Sequence, residues 1–178
     1  MSKLTAPISA KDHTQGKTNA PWTLIEYGDY QCPSCGDAYP IVKQLQQHFG
    51  DQLRFVFRNF PLEMHPYAEH AAEAAEFAAA HGKFWEMHDL LFEHQRDLRD
   101  AVLLKSAVRL RLSSDHLKSA LAEGTYAPRV KTDLDSGIAS DVQGTPTFYI
   151  NGQRHDGNYD LDSMVAAIQG HTKMKSGM

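Results

Sequence analysis

The feature that most constrains this chain is Cys32-Pro33-Ser34-Cys35, which holds the only two cysteines among its 178 residues. The motif follows an apolar, strand-like segment, and residues i and i+3 share a face of a helix that begins there. Two thiols at this spacing can close a disulfide or reopen to a dithiol. The motif therefore predicts thiol-disulfide chemistry at a strand-to-helix junction.

The two thiols are not expected to be equivalent. Cys32 would lie in the first helical turn, where unpaired backbone N–H groups and the positive end of the helix dipole favour a thiolate. Cys35 would lie one turn further along and be more buried. Pro33 fits this position, because a helix tolerates proline in its first turn. We predict that Cys32 attacks the partner sulfur and Cys35 resolves the mixed disulfide, with Pro33 and Ser34 as the motif dipeptide.

Two other uses of the cysteines stay open. A zinc site usually needs four ligands, and the missing ones would have to come from the ten histidines, none of which completes a zinc-finger spacing. Two buried cysteines could also simply fill space, although a proline between them at a strand-to-helix junction disfavours this. We expect no metal and no cofactor other than the redox-active Cys32–Cys35 disulfide.

The composition indicates an ordinary soluble globular protein, with 42% hydrophobic and 22% charged residues. A net charge of -4 and a pI near 6.2 give no electrostatic reason to bind nucleic acid or an anionic membrane. No segment is apolar for long enough to insert into a bilayer, and the first residues lack the apolar core of a secretory signal. The sequence as written predicts a cytoplasmic protein; a periplasmic or extracytoplasmic location is the alternative if a signal peptide has been removed.

Hydrophobic patterns divide the first part of the chain into a strand, a helix and a second strand. The strand at residues 22–27 is rich in β-formers, a helix is expected at about 32–48, and the next strand covers 53–57. A strand-helix-strand order predicts parallel pairing with a right-handed crossover.

The remainder reads as an alanine-rich helical block followed by a hairpin. Helical patterns recur between residues 66 and 140, which is too long and too regular for a loop. Strands at 147–150 and 153–155 flank Asn151-Gly152, a strong signal for a tight hairpin turn. Asp160 can cap a last helix at 161–169. The tail after Gly170 is expected to fray.

The chain resembles the thioredoxin superfamily, and more closely its DsbA-like branch, in which a helical domain interrupts the fold. The resemblance rests on four motifs in chain order, namely Glu26 to Cys35, Arg58 to Leu62 with His65, Gly82 to Trp85, and Gly144 to Gly152. It implies an α/β thioredoxin fold with a helical insertion. Residues 1–65 and 141–178 would form the thioredoxin-like domain, and residues 66–140 the inserted helical domain.

The resemblance also implies an activity, partners and a substrate-binding segment. The chain would be an enzyme that exchanges disulfides with protein dithiols or disulfides, together with a redox partner protein or glutathione. In that family a cis-proline faces the disulfide, and the residue before it offers its backbone to a substrate peptide as an added strand. Thr145-Pro146 is expected to do this here, since proline is permitted at the start of a strand.

Glu26 is the remaining candidate. In an alternating strand it shares a face with Trp22 and Leu24, so it is expected beneath the helix that carries Cys35. A desolvated carboxyl there should have a raised pKa and could take a proton from Cys35 through water. Thioredoxin-like proteins carry a buried acid at the matching place. The alternative is a Glu26 on a solvated sheet edge.

The dipeptide between the cysteines bears on redox direction. Pro33-Ser34 departs from the Pro-His pair of strongly oxidising DsbA proteins, and a serine hydroxyl donates only a neutral hydrogen bond where an imidazolium would add charge. We therefore expect a weaker oxidant than DsbA. Two alternative functions stay open. One is a redox-regulated chaperone or peptide-binding module without turnover. The other is a small-molecule enzyme of the glutathione-linked branch, which commonly has serine in place of the first cysteine.

Overall fold

The computed structural model describes residues 2 to 173, so the end of the predicted frayed tail, residues 174 to 178, lies outside the described residues. The architecture is mixed α/β, the class that the sequence predicts. The strands are β1 (His13–Gln15), β2 (Trp22–Gly28), β3 (Leu53–Asn59), β4 (Thr147–Ile150) and β5 (Gln153–His155). The helices are α1 (Pro33–Phe49), α2 (Ala68–Ala80), α3 (Phe84–Glu93), α4 (Asp100–Arg109), α5 (Ser114–Glu123), α6 (Ala127–Ala139) and α7 (Leu161–Gly170).

The described residues fall into two compact units. One unit contains the residues up to Gly28, Asp37–Arg58 and the residues from Ser136 onward; it holds the sheet. The other contains Asp29–Gly36 and Asn59–Asp135; it holds the cysteine motif and helices α2 to α5. Which residues would fold as a separate domain, predicted above as 66–140, stays a prediction.

The sheet has the strand order β1-β3-β2-β4-β5. Its middle strand, β2, is buried along its whole length, so both of its faces are covered although its sequence alternates. β2 pairs antiparallel with β4, with Tyr27 opposite Thr147. This register places Pro146, the residue before Thr147, beside the carboxyl end of β2.

The predicted hairpin is present and consists of β4 and β5. Asn151 and Gly152 in its turn have φ of +46° and +83°, which is the left-handed region that a two-residue turn between twisted strands requires. The short strand β1, antiparallel to β3, has no counterpart in the sequence prediction. Its three polar residues carry no apolar alternation that could have revealed it.

A buried arginine holds the amino-terminal segment against the sheet. The Arg58 guanidinium donates to both carboxylate oxygens of Asp12, to the hydroxyl of Tyr27 and to the carbonyls of Ala6 and Pro7. Burial acts to lower the pKa of Arg58, but the hydrogen bonds to Asp12 and Tyr27 outweigh it and raise that pKa above its usual value. The guanidinium therefore stays charged and satisfied in the core.

The helical unit is built around the alanine-rich helix α2. Ala71, Ala74 and Ala75 are fully buried, and their small side chains allow close approach of neighbouring backbone. A buried polar cluster ties the start of this unit to α6. Asp133 accepts from the backbone and side chain of Asn59 and from Arg129. Burial raises the pKa of Asp133, while Arg129 and the Asn59 hydrogen bond act in the opposite direction.

Candidate active site

Cys32 occupies the N-cap of α1. Its carbonyl accepts the backbone N–H of Gly36 at 3.1 Å, which is the first hydrogen bond of the helix. The sequence predicts a helix start at Cys32; the structure begins the helix one residue later, at Pro33, whose fixed φ suits the first helical position. An acceptor side chain at an N-cap ordinarily receives backbone N–H groups from the first turn. A Cys32 thiolate there is also favoured by the helix dipole.

The two cysteines differ in exposure, in the direction that the sequence predicts. Cys32 is 6% exposed and Cys35 is 0% exposed, and both are free thiols in this structure. The backbone N–H of Asp29 donates to Sγ of Cys35 at 3.5 Å. Cys35 is therefore held inside the protein by a backbone donor, while only Cys32 keeps contact with solvent.

Asp29 organises the loop that leads into the cysteine motif. Its Oδ1 accepts the backbone N–H groups of Gln31 at 2.7 Å and of Cys32 at 3.1 Å. Its Oδ2 accepts the N–H of Leu62 at 2.8 Å and lies 2.8 Å from Nδ1 of His65. Sequence reasoning assigned Asp29 no role of its own. The available signal was an aspartate three residues before Cys32, the spacing at which a carboxylate binds nearby backbone N–H groups.

Gln95, from the loop after α3, binds backbone carbonyls of the same loop. Its Nε2 donates to the carbonyl of Cys32 at 2.7 Å and to the carbonyl of Tyr30 at 3.0 Å. Sequence reasoning missed this residue, because a contact between positions 63 residues apart leaves no local pattern.

Tyr30 anchors this loop in the helical unit. Its hydroxyl lies 2.9 Å from Nδ1 of the buried His88, and its ring packs on Phe92 with centroids 5.0 Å apart. The buried His88 is thus engaged with an aromatic hydroxyl. The described residues contain no group of three or more His, Cys, Asp or Glu side chains that could hold a metal ion.

The three other predicted residues, Glu26, Thr145 and Pro146, lie in the unit that holds the sheet. Glu26, on β2, is only 2% exposed, so it does not lie on a solvated edge. Phe148 is its partner across the sheet. A side chain at Gly28 would come within 3.0 Å of Oε1 of Glu26 and inside contact distance of the Phe57 ring, which explains the glycine at that position. The role of Glu26 as a proton acceptor stays a prediction.

The Thr145–Pro146 peptide bond is cis, as the sequence predicts. Pro146 also lines a cleft of about 340 Å³ together with Thr147, Phe148, Arg154 and Tyr159. The cleft belongs wholly to the sheet-containing unit. A role for Thr145 and Pro146 in substrate binding stays a prediction.

A family model described as Thioredoxin matches residues 9–170. The chain belongs to the thioredoxin family. Its structure has the DsbA-like form of the thioredoxin fold, with a helical insertion.

Solved structures agree with this assignment. BdbD from Bacillus subtilis, in its oxidised form, is 29% identical to this thioredoxin-family chain, with a TM-score of 0.85 over 94% of this chain and 96% of that one. DsbA1 from Wolbachia pipientis is 19% identical, with a TM-score of 0.76 over 93% and 92% of the two chains. MdbA, a thiol-disulfide oxidoreductase from Actinomyces oris, is 20% identical, with a TM-score of 0.73 over 92% and 87%. At these last two identities the likeness concerns the fold.

One curated relative is named as an ion antiporter. The Na(+)/H(+) antiporter NhaA 1 of Salinispora arenicola is 48% identical over 159 residues, which cover 89% of this chain and 24% of the antiporter. The chain therefore spans about a quarter of the length of the curated relatives it matches. Within residues 2 to 173, no helix combines the length and the apolarity needed to cross a bilayer.

Proposed function

We propose that this chain is a thiol-disulfide oxidoreductase of protein substrates, with Cys32 as nucleophile and Cys35 as resolving thiol. The observation that carries the proposal is the position of the two sulfurs at one helix start. Cys32, at the N-cap, is 6% exposed, and Cys35, one turn further, is 0% exposed. An N-cap lowers the cost of a thiolate, and burial keeps the second thiol from competing for substrate.

In the reductive direction the chemistry has two steps. The Cys32 thiolate attacks one sulfur of a substrate disulfide; that S–S bond breaks, the other substrate sulfur leaves as a thiolate, and a mixed disulfide forms. Cys35 then loses its proton and attacks Sγ of Cys32, which closes the Cys32–Cys35 disulfide and releases the second substrate thiol. Two electrons have moved to the substrate. The reverse sequence oxidises a substrate dithiol, and a partner protein or glutathione resets the enzyme.

Two more roles complete the proposal. Glu26 would accept the Cys35 proton through water, which its burial near the end of β2 supports. Thr145 would offer its backbone to the substrate peptide as an added strand, with Pro146 beside it at the start of β4. Both roles rest on the resemblance to the family.

We propose that the protein is a weaker oxidant than DsbA. Ser34 between the cysteines can donate only a neutral hydrogen bond to a Cys32 thiolate. A neutral donor stabilises the reduced form less than an imidazolium would, and each tenfold change in the exchange equilibrium corresponds to about 30 mV.

The proposed location and partners depend on whether the protein oxidises or reduces its substrates. Net disulfide formation persists in oxidising compartments, so we propose an extracytoplasmic location for an oxidant; in a reducing cytoplasm the same pair would rest as a dithiol and serve as a reductase or sensor. The name of the Salinispora relative makes a membrane Na(+)/H(+) antiporter one partner to test. A Cys35→Ser variant, which traps mixed disulfides on Cys32, would identify covalent partners by mass spectrometry.

An insulin-reduction assay and an oxidative refolding assay with a reduced disulfide protein test the function. We expect turnover in at least one of them and none for Cys32→Ser. Binding of an unfolded chain with equal affinity by the wild type and Cys32→Ser, without turnover in either assay, would instead indicate a peptide-binding module. Turnover of glutathione-linked small molecules alone would indicate a small-molecule enzyme of the glutathione-linked branch.

A further inference from the structure

We propose that Gln95 is a positioning residue for Cys32, which acts by holding the backbone carbonyls of the active-site loop. The proposal rests on the function proposed above and deepens it. It follows from two independent observations, the hydrogen bonds that Gln95 makes and the glycine that its position requires.

The hydrogen bonds tie Gln95 to both ends of the segment before the helix. Its Nε2 donates to the carbonyl of Tyr30 at 3.0 Å and to the carbonyl of Cys32 at 2.7 Å. The Cys32 carbonyl also accepts from the N–H of Gly36, so the first hydrogen bond of α1 and the Gln95 contact share one oxygen. Any rotation of the Cys32 peptide unit therefore disturbs both contacts.

The N–H groups of the same segment face another partner. Asp29 accepts the N–H groups of Gln31 and Cys32, so the segment has its donors bound by a carboxylate and its acceptors bound by an amide. Tyr30 is additionally fixed through its side chain, which binds His88. Two side chains therefore bind the backbone around Cys32. The carboxyl group of Asp29 accepts its N–H groups, and the amide of Gln95 donates to its carbonyls.

Gly36 is the second observation. A Cβ added at Gly36 would lie 2.0 Å from Oε1 and 2.8 Å from Cδ of Gln95. The residue lies inside α1 and its φ is outside the left-handed region, so its backbone conformation does not require glycine. The space that the Gln95 side chain occupies explains why position 36 has no side chain.

The consequence concerns the stability of the thiolate. The N–H end of the Gln95 amide offsets the partial negative charges of two carbonyls close to Cys32, and it keeps the N-cap geometry in which first-turn N–H groups can face the sulfur. Loss of this contact should disfavour the thiolate relative to the thiol. Because a thiolate is the reactive form, attack by Cys32 at neutral pH should slow.

The test compares Gln95→Met, which removes the donor at similar volume and without charge, with Gln47→Met, the same change at an exposed position of α1. For Gln95→Met we expect a higher pKa of the Cys32 thiol, an alkylation rate at neutral pH reduced about two- to tenfold, and a lower reduction potential in a glutathione titration. Gln47→Met should match the wild type. These thiol properties are measurable even if no substrate is turned over, so failure of the proposed function and failure of this inference are distinguishable.

A second variant reaches the same contact from the other side. Gly36→Ala should displace the Gln95 amide and slow Cys32 as Gln95→Met does; the better helix propensity of alanine offsets part of the stability lost with the Gln95 hydrogen bonds. Gly170→Ala, where nothing lies near the added Cβ, is its control. In a Gln95→Ala background Gly36→Ala should change the Cys32 reactivity no further. An unchanged thiol pKa and potential in both Gln95→Met and Gly36→Ala, with only a lower melting temperature, would overturn the proposal.

Discussion

The backbone N–H of Asp29 donates to Sγ of Cys35 at 3.5 Å, and the side chain of Asp29 accepts the N–H of Cys32 at 3.1 Å. The buried Asp29 therefore contacts the sulfur of Cys35 and the backbone N–H of Cys32. Its second carboxylate oxygen reaches Leu62 and His65, so the segment before the helix is joined to residues more than thirty positions later.

Asp29→Asn should destabilise the protein. The asparagine oxygen can replace Oδ1, but its amide nitrogen cannot accept the N–H of Leu62, which leaves two donors facing each other in a buried place. We expect a loss of about 2 to 4 kcal/mol in the free energy of unfolding, measured by urea denaturation. Asp51→Asn, whose side chain is exposed, is the control and should lose much less. Equal losses for the two variants would show that the Asp29 contacts add no stability.

Cys32 should be the thiol that reacts first. Its N-cap position favours a thiolate, and it keeps 6% exposure to solvent, whereas Cys35 has none. Alkylation of the reduced protein with limiting reagent, followed by peptide mass mapping, should label Cys32 at least about tenfold more than Cys35. Unfolding in denaturant should abolish the preference. Labelling mainly at Cys35 in the folded protein would reverse the proposed roles.

Ser34→His should raise the reduction potential. A cationic donor between the cysteines stabilises the Cys32 thiolate, and hence the reduced form, more than the neutral hydroxyl does. A rise of about 30 mV would correspond to a tenfold shift of the equilibrium with glutathione. Ser119→His, the same change on the exposed face of α5, should leave the potential where it is. A potential for Ser34→His at or below the wild-type value would contradict this account of the dipeptide.

Glu26→Gln should slow the second step of the reaction and leave the first nearly intact. If Glu26 accepts the Cys35 proton, the amide cannot replace it, and release of the mixed disulfide becomes slower by about a hundredfold or more. Stability should not fall, because a desolvated carboxyl is removed from a buried strand. Stopped-flow kinetics of a trapped mixed disulfide and urea denaturation measure the two quantities.

The matched control for Glu26→Gln is Glu73→Gln, since Glu73 is a similarly buried glutamate on α2. Its resolution rate should equal that of the wild type. Should Glu26→Gln resolve at the wild-type rate and lose much stability, Glu26 would be a structural hydrogen-bonding residue.

Asp160 should make the stability of α7 depend on pH. Hydrogen bonds from the Ser163 side chain and backbone lower the pKa of this N-cap carboxyl. A lowered folded pKa means that its stabilisation is present above the unfolded pKa of about 3.9 and is lost as the pH falls through the folded value. Asp160→Asn keeps a capping oxygen and should remove that pH dependence. Asp160→Ala should lower the melting temperature above the acid range and have little effect below it. An equal effect of both variants above the acid range would refute the capping role.

The sequence by itself determined the elements that depend on local chemistry. Apolar strands, the Asn151-Gly152 turn and the Asp160 cap follow from neighbouring residues, so their places in the structure agree with the prediction. The spacing of Cys32 and Cys35 also places both thiols at one helix start without any tertiary information.

Only the tertiary structure decided how that helix start is held. Gln95 meets Cys32 across 63 positions, and Asp29 meets His65 across 36, because chain folding and not local spacing brings these groups together. The short strand β1 likewise exists because β3 offers it unpaired backbone groups, not because its own residues favour a strand. Hydrogen bonds between distant segments depend on geometry that no window of neighbouring residues encodes.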